Sequence, residues 1–322
     1  MNPLLRLREA LTLGGLSPKE AALRTWKRVN DHEIMTRAAA VSFYAMLALV
    51  PFLALILTLI ARLLPDLTGR KSGLGNLTAD ELRTTLRTAF PPEAYEVIEN
   101  QIARLQHEDS TSVVWVVIGL GVTLWLASSL FVAVIDAMNR IYGVAETRSF
   151  VRLRVTAVVM TCVEAVMLVG SLLVIVLWPQ ILAWLGMKAG AALFATVVQW
   201  VVVYFMVLFT FALTFYVGPD ADQRWEWITP GSLVGAALFL AASFGFRVYV
   251  QYFANYNQSY GSLGGVMVLL FWFWISSLVL LASAQTNKVV EEASPLGKNF
   301  GQKVDSTEAP DFKAMKPEPA SE

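Results

Sequence analysis

The chain has 322 residues, 56% of them hydrophobic and only 16% charged, with a positive mean hydropathy. One water-soluble core cannot hide that much apolar surface, so the composition points to an integral membrane protein. The formal net charge is zero, and the overall balance calls for neither nucleic acid nor an acidic partner.

Residues 1–37 form a polar leader with six arginines and lysines before Arg37 and no continuous apolar core, so a cleavable signal peptide is not expected. Ser17-Pro18-Lys19-Glu20 has capping-box spacing with Pro at the first helical position. Ala22, Trp26 and Val29 then share a face beside Lys19, Arg24, Lys27 and Arg28. That pattern predicts an amphipathic helix on the inner leaflet.

Six stretches are long and apolar enough to cross a bilayer as helices, which takes about 20 residues each. They cover residues 38–64, 112–137, 155–178, 190–217, 229–252 and 263–285. The expected fold is therefore all-α: a polytopic bundle of six transmembrane helices over residues 38–290. Between the first two spans, about 65–111, two further amphipathic runs separated by Pro91-Pro92 predict an outer helical hairpin. From Glu291 to the end, Pro, Lys, Glu, Ser and Gly dominate and periodicity disappears, as in a disordered tail.

Basic residues set the orientation, because cytoplasmic segments keep an excess of Lys and Arg. With the N-terminus inside, seventeen fall on the cytoplasmic side and six outside, counted from the sequence. Both termini are expected in the cytoplasm.

Nothing in the sequence assembles a catalytic or metal site. His32 and His107 fall on opposite sides of the membrane in this topology, and the single Cys162 lies within the third span, so no zinc site is expected from them. No phosphate-cradling Gly-rich loop and no nucleophile elbow is present. Ser128, Ser129, Ser276 and Ser277 are assigned to helix packing. No enzyme activity, metal or cofactor is expected.

Polar groups at membrane depth are the informative ones, since each charge there costs at least about 2.5 kcal/mol. Glu164 falls ten residues after Arg154, about 15 Å along a helix, near the bilayer midplane. It serves either as a proton, cation or substrate-pathway site, or as a protonated group bonded to a neighbouring helix. Arg247, near the outer end of the fifth span, either snorkels to the interface or meets an anionic group. Gln199 in the fourth span is interhelical glue or a pathway residue. Pro51 sits near the middle of the first span, where it either kinks the helix or is tolerated. Asp136, Asn139 and Arg140, at i, i+3 and i+4, share a face that can pair with Arg37 as an inner gate or clasp.

Between the fifth and sixth spans, "YFANYNQSYGSLGG" (252–265) places tyrosines at the outer interface. Gly261 and Gly265 form GxxxG, as do Gly231 and Gly235, allowing close helix approach. Asn255, Asn257 and Gln258 have no packing role in this reading and are candidates for an outer substrate contact.

"RAAAVSFYAMLALVPFL" in the first span, "AMNRIYGV" after the second and "YNQSYGSLGGVMVLLFWFWISSLVLLASAQTN" through the sixth resemble the YihY/BrkB family of bacterial inner-membrane proteins, which carries the legacy label ribonuclease BN. The resemblance covers about residues 20–290. It implies a bacterial inner-membrane location and a role in transport or envelope handling, with lipids or an anionic small molecule as partners. Where relatives commonly carry a Gly-Ala-Glu-like stretch at the end of the sixth span, this chain has Ser283-Ala284-Gln285, without the carboxylate. Taken together, the residues and the resemblance predict a transporter or flippase-like protein for an amphiphilic or anionic envelope molecule, alternatively a non-transporting scaffold of an envelope complex. Ribonuclease activity is not expected, because it needs a water-accessible site with paired acid–base groups or a metal and a basic groove. Oligomeric state stays open.

Overall fold

The computed structural model describes residues 13–63, 113–184, 192–221, 228–253, 262–294 and 303. Its described elements are a 3-10 turn, Leu13–Gly15, and seven α-helices: α1 Pro18–Asp31, α2 Ile34–Leu63, α3 Val113–Tyr142, α4 Phe150–Trp184, α5 Ala192–Val217, α6 Pro230–Phe253 and α7 Ser262–Ala293. The protein is thus all-helical over these residues. Among the described residues, five helical stretches are long and apolar enough to cross a membrane: Gly121–Tyr142, Phe150–Ile175, Phe194–Val217, Pro230–Gln251 and Gly264–Ala293. A shorter apolar stretch, Ile34–Leu49, lies in α2, which continues as one helix through Pro51 to Leu63. The expected outer hairpin, Gly261, Asn255, Asn257, Gln258 and all of the tail beyond Ser294 except Lys303 lie outside the described residues.

Each helix from α2 to α7 packs on its neighbour in sequence, and α7 returns to α2 to close the ring. From α3 onward the connections are short, which makes this order natural, since consecutive helices so joined become antiparallel neighbours. The main core lies where α2, α3, α5 and α7 converge, around Ile34, Val41, Met138, Ile141, Phe211, Phe215 and Leu281. Many large apolar side chains point outward instead, among them Phe43, Leu47, Val155, Phe194, Trp200 and Phe244. In a membrane protein those outward rows face lipid rather than water.

Several helices outrun their apolar stretches. α3 continues past residue 137 through Asn139 and Arg140 to Tyr142, and α4 begins at Phe150 and includes Arg152 and Arg154. α7 runs on to Ala293, so Glu291 and Glu292, which composition assigns to the tail, belong to its last turn. They are held there by ion pairs, Glu291 with Lys288 at 3.1 Å and Glu292 with Arg28 at 3.0 Å.

Ser17 caps α1, its Oγ accepting from the Glu20 backbone N–H at 3.2 Å, with Pro18 in the first turn. The expected face of Ala22, Trp26 and Val29 is divided in the fold. Val29 turns inward with Ala21, and α1 lies along α7, whereas Trp26 and Leu23 are each 60% exposed. A helix docked on α7 along one edge leaves Leu23 and Trp26 beside Arg24 and Lys27 on the other. The Leu13–Gly15 turn also rests on the end of α7. There Gly14 has φ +62°, and an added Cβ would lie 2.6 Å from the Val290 carbonyl oxygen. Both the left-handed backbone and the close approach call for glycine.

Glycines also set the α6–α7 contact. A methyl on Gly231 would collide with the Ser283 carbonyl oxygen and come within 2.6 Å of the Asn287 side chain. On Gly235 it would meet Phe211 and Ser283 Oγ, each at 2.6 Å. The missing side chain lets the Gly231 N–H donate to Asn287 Oδ1 at 2.6 Å. Gly265, at the start of α7, is half-buried.

Candidate functional site

At the end of the bundle that carries α1, a cavity of about 440 Å³ opens between α2, α3 and α4, within the size range of small-molecule sites. Its shape follows from side-chain size. Ser129, Ala133 and Ala137 recur every four residues along α3, a single helical stripe, and face Ala40 and Val41 of α2. Larger residues on that stripe would fill the space.

Charge enters from three directions: Arg37 near the start of α2, Asp136 near the end of α3 and Arg154 near the start of α4. Arg37 Nη1 lies 3.2 Å from Asp136 Oδ2, with the Arg37 side chain 26% exposed and that of Asp136 78% exposed. An ion pair with so open a carboxylate contributes about 0–1 kcal/mol. It is easily broken.

Arg154 is held more firmly. Its Nη2 donates to Ser129 Oγ at 3.3 Å, and its guanidinium carbon lies 3.8 Å from the centroid of the Trp125 ring, within cation–π range. Ser129 Oγ in turn donates to the Trp125 carbonyl oxygen at 3.2 Å. Two donors are left over: Arg37 Nε and Arg154 Nε are buried and find no acceptor among the described residues. Each such unmet donor costs about 1–3 kcal/mol, a penalty that an anion in the cavity would relieve once the guanidinium groups turn to meet it. With two guanidinium groups and one carboxylate, the cavity carries a formal charge of +1.

Arg37 and Asp136 meet here, but Asn139 and Arg140 do not join them. Asn139 is buried and bridges loops instead: Nδ2 donates to Glu146 Oε2 at 2.8 Å and Oδ1 accepts from the Asp220 N–H at 2.7 Å. Arg140 is exposed. Arg154, Trp125 and Tyr44 escape sequence reasoning as site residues. Arg154 lies at a predicted span end, where a cation has a sufficient topological explanation. Only the small-residue stripe in α3 signals that a cavity lies beside it.

Glu164 does not line this cavity. It faces α5, where Thr214 Oγ1 donates to its Oε1 at 3.3 Å. Gln199 Nε2 donates to the Ile175 carbonyl oxygen at 3.3 Å, joining α5 to α4. Arg247 is exposed on α6.

Below the cavity, polar joints tie the helix ends together. Arg148 pairs with Glu146 at 2.7 Å and donates to the carbonyl oxygens of Val217 and Gly218, capping the last turn of α5. Asp220 accepts from the Thr147 N–H at 2.7 Å and Oγ1 at 2.6 Å, and from Lys303 Nζ at 2.8 Å. Burial works against the charge on Glu146 and on Asp220. Hydrogen bonds from Arg148 and Asn139 nevertheless lower the Glu146 pKa, and those from Lys303 and Thr147 bring Asp220 down to about 2. Lys288 is fully buried, paired with Glu291 and 5.3 Å from the centroid of the Tyr142 ring.

The fold and this cavity define a helical membrane protein with a basic pocket at one end of its bundle. The sequence profile of the Virulence factor BrkB family matches residues 25–307, and the chain belongs to that family. It is 27% identical to the ribonuclease-like protein YfkH of Bacillus subtilis (strain 168), over 84% of this chain and 95% of that one. It is 24% identical to a UPF0761 membrane protein of Tolumonas auensis, over 83% of this chain and 84% of that one, and equally to one of Coxiella burnetii, over 82% and 91%. No solved structure matches the chain.

Proposed function

We propose that this protein is a six-span inner-membrane transporter or flippase-like protein for an anionic amphiphile, with both termini in the cytoplasm and no covalent chemistry. The observation that carries the reading is the cavity with Arg37 and Arg154, whose positive charge exceeds that of its one carboxylate. A charge held at the edge of the hydrocarbon region is costly, and a pocket that keeps two of them with unused donors is suited to an anion. Leu23 and Trp26 of α1, beside Arg24 and Lys27, lie against an anionic inner leaflet in this reading.

A scaffold of an envelope complex is the second reading, and Glu164 favours it. A carboxyl bonded to Thr214 across a helix contact behaves as packing, not as part of an open path.

The test is lipid scrambling and anion flux by purified protein in liposomes. Flux that falls in Arg154→Gln while Glu164→Gln keeps it supports transport through the arginine cavity. No flux across a broad panel of anionic lipids and small anions leaves the scaffold.

A further inference from the structure

We propose that the cavity between α2, α3 and α4 binds the phosphate group of an anionic phospholipid, with Arg37 and Arg154 as its cationic contacts and Asp136 as a resident counter-anion that the phosphate displaces. This deepens the reading above and rests on its assignment of the cavity as the anion site.

Three observations favour a phosphate. Both guanidinium groups keep a buried Nε with no acceptor among the described residues. A planar carboxylate is satisfied by the fork of one arginine, whereas a tetrahedral phosphate has oxygens to share between two. The charge also favours an anion, since with Asp136 turned to solvent the two arginines leave +2, of which a phosphodiester neutralises one.

Asp136 is placed to yield. It occupies only Nη1 of Arg37 and is 78% exposed, so it can turn to solvent when a phosphate arrives. Arg154 is fixed on its other side by Ser129 and Trp125, and its aim does not depend on Asp136.

The surroundings favour a lipid as the source of the phosphate. Tyr44 lines the cavity, and the exposed Phe43 and Leu47 of α2 and Val151 and Val155 of α4 flank it on the two walls. Acyl chains can lie along those rows while the headgroup enters between the arginines.

The experiment measures binding of short-chain phosphatidylglycerol, short-chain phosphatidylcholine and inorganic phosphate to the full-length protein in detergent, by calorimetry and native mass spectrometry. Phosphatidylglycerol is expected to bind most tightly. Arg37→Gln and Arg154→Gln should each weaken it about tenfold or more, and Asp136→Asn should tighten it about threefold by removing the competitor. Arg154→Lys, which keeps the charge but loses the Nε donor, serves if the glutamine variant does not fold, and should still weaken binding.

Unchanged affinity in folded arginine variants overturns the proposal, as does weakening by Asp136→Asn. Equal binding of inorganic phosphate and phosphatidylglycerol overturns the lipid as its source. Phosphatidylglycerol binding without flux keeps this site and removes the transporter. Flux of an anionic amphiphile lacking phosphate, with no phosphate binding, does the reverse.

Discussion

His32, in the turn between α1 and α2, lies with Nδ1 2.8 Å from Oε1 of Gln285 in α7, a contact between residues 253 apart in the sequence. Oε1 is an acceptor, so Nδ1 carries the proton. Gln285 is fully buried. A glutamate there would place a carboxylate against the ring and favour imidazolium more strongly than the neutral amide does.

That contact has a pH consequence. Burial lowers the His32 pKa from its ordinary value of 6.5; the bond to Gln285 and Asp31 pull it upward, while Arg28 and Arg140 push it further down. The unfolded chain therefore takes up its proton first as pH falls. The contribution of this joint is complete above pH 6.5 and declines as pH falls from there through the lower folded value. Thermal unfolding followed from about pH 7.5 to about pH 5 should show a loss of stability that His32→Gln reduces. An equal slope in that variant assigns the acid sensitivity to other groups.

The α6–α7 contact should be the least tolerant of added volume. Gly231→Ala meets backbone, the Ser283 carbonyl oxygen, and disturbs the bond to Asn287, while Gly235→Ala meets the flexible edge of Phe211 and a serine hydroxyl. Overpacking of this kind costs about 1–3 kcal/mol. The larger loss is expected at Gly231, because a carbonyl of α7 cannot rotate aside. Melting temperatures of the two variants in one detergent check the order.

The legible parts of this chain are those governed by period and composition. Apolar runs located the helices, and Ser17-Pro18 located the start of α1, because capping is a local interaction. What local pattern could not supply is the partner across the bundle. The pairing of Arg37 with Asp136 was open to sequence reasoning because both are charges at the ends of apolar runs. The direction of Glu164 was not, since helical depth fixes height along a helix but not which neighbour it faces. The burial of Lys288 was hidden for the same reason: a lysine beside two glutamates at a helix end resembles a solvated turn until Tyr142 and α1 are placed over it.

Glu164 gives a prediction that separates packing from ion binding. Thr214 is buried and donates to Glu164, so a glutamine keeps an acceptor oxygen and an alanine does not. Glu164→Gln should keep the melting temperature, whereas Glu164→Ala should cost about 1–3 kcal/mol through the lost partner and the space left behind. If both variants melt like the parent, the hydrogen bond contributes nothing, and Glu164 is open to a role in conduction.

The Asp220 joint should fail only in strong acid. Its carboxylate is held at about 2 against an ordinary 3.8, so the unfolded chain binds a proton before the folded one does. The stability it supplies is complete above the unfolded value and is lost as pH falls through the folded value. Asp220→Asn removes the charge that Lys303 and Arg148 face and leaves Thr147 a weaker acceptor. That variant should be less stable than the parent at neutral pH and approach it near about pH 2, where about half of the folded parent has taken up the proton. Lys303→Met isolates the tail contact, and its cost should be the smaller, because Thr147 still donates twice to Asp220. Denaturation curves of the three proteins at both pH values decide it: a constant gap between Asp220→Asn and the parent means that shape, not charge, makes the joint.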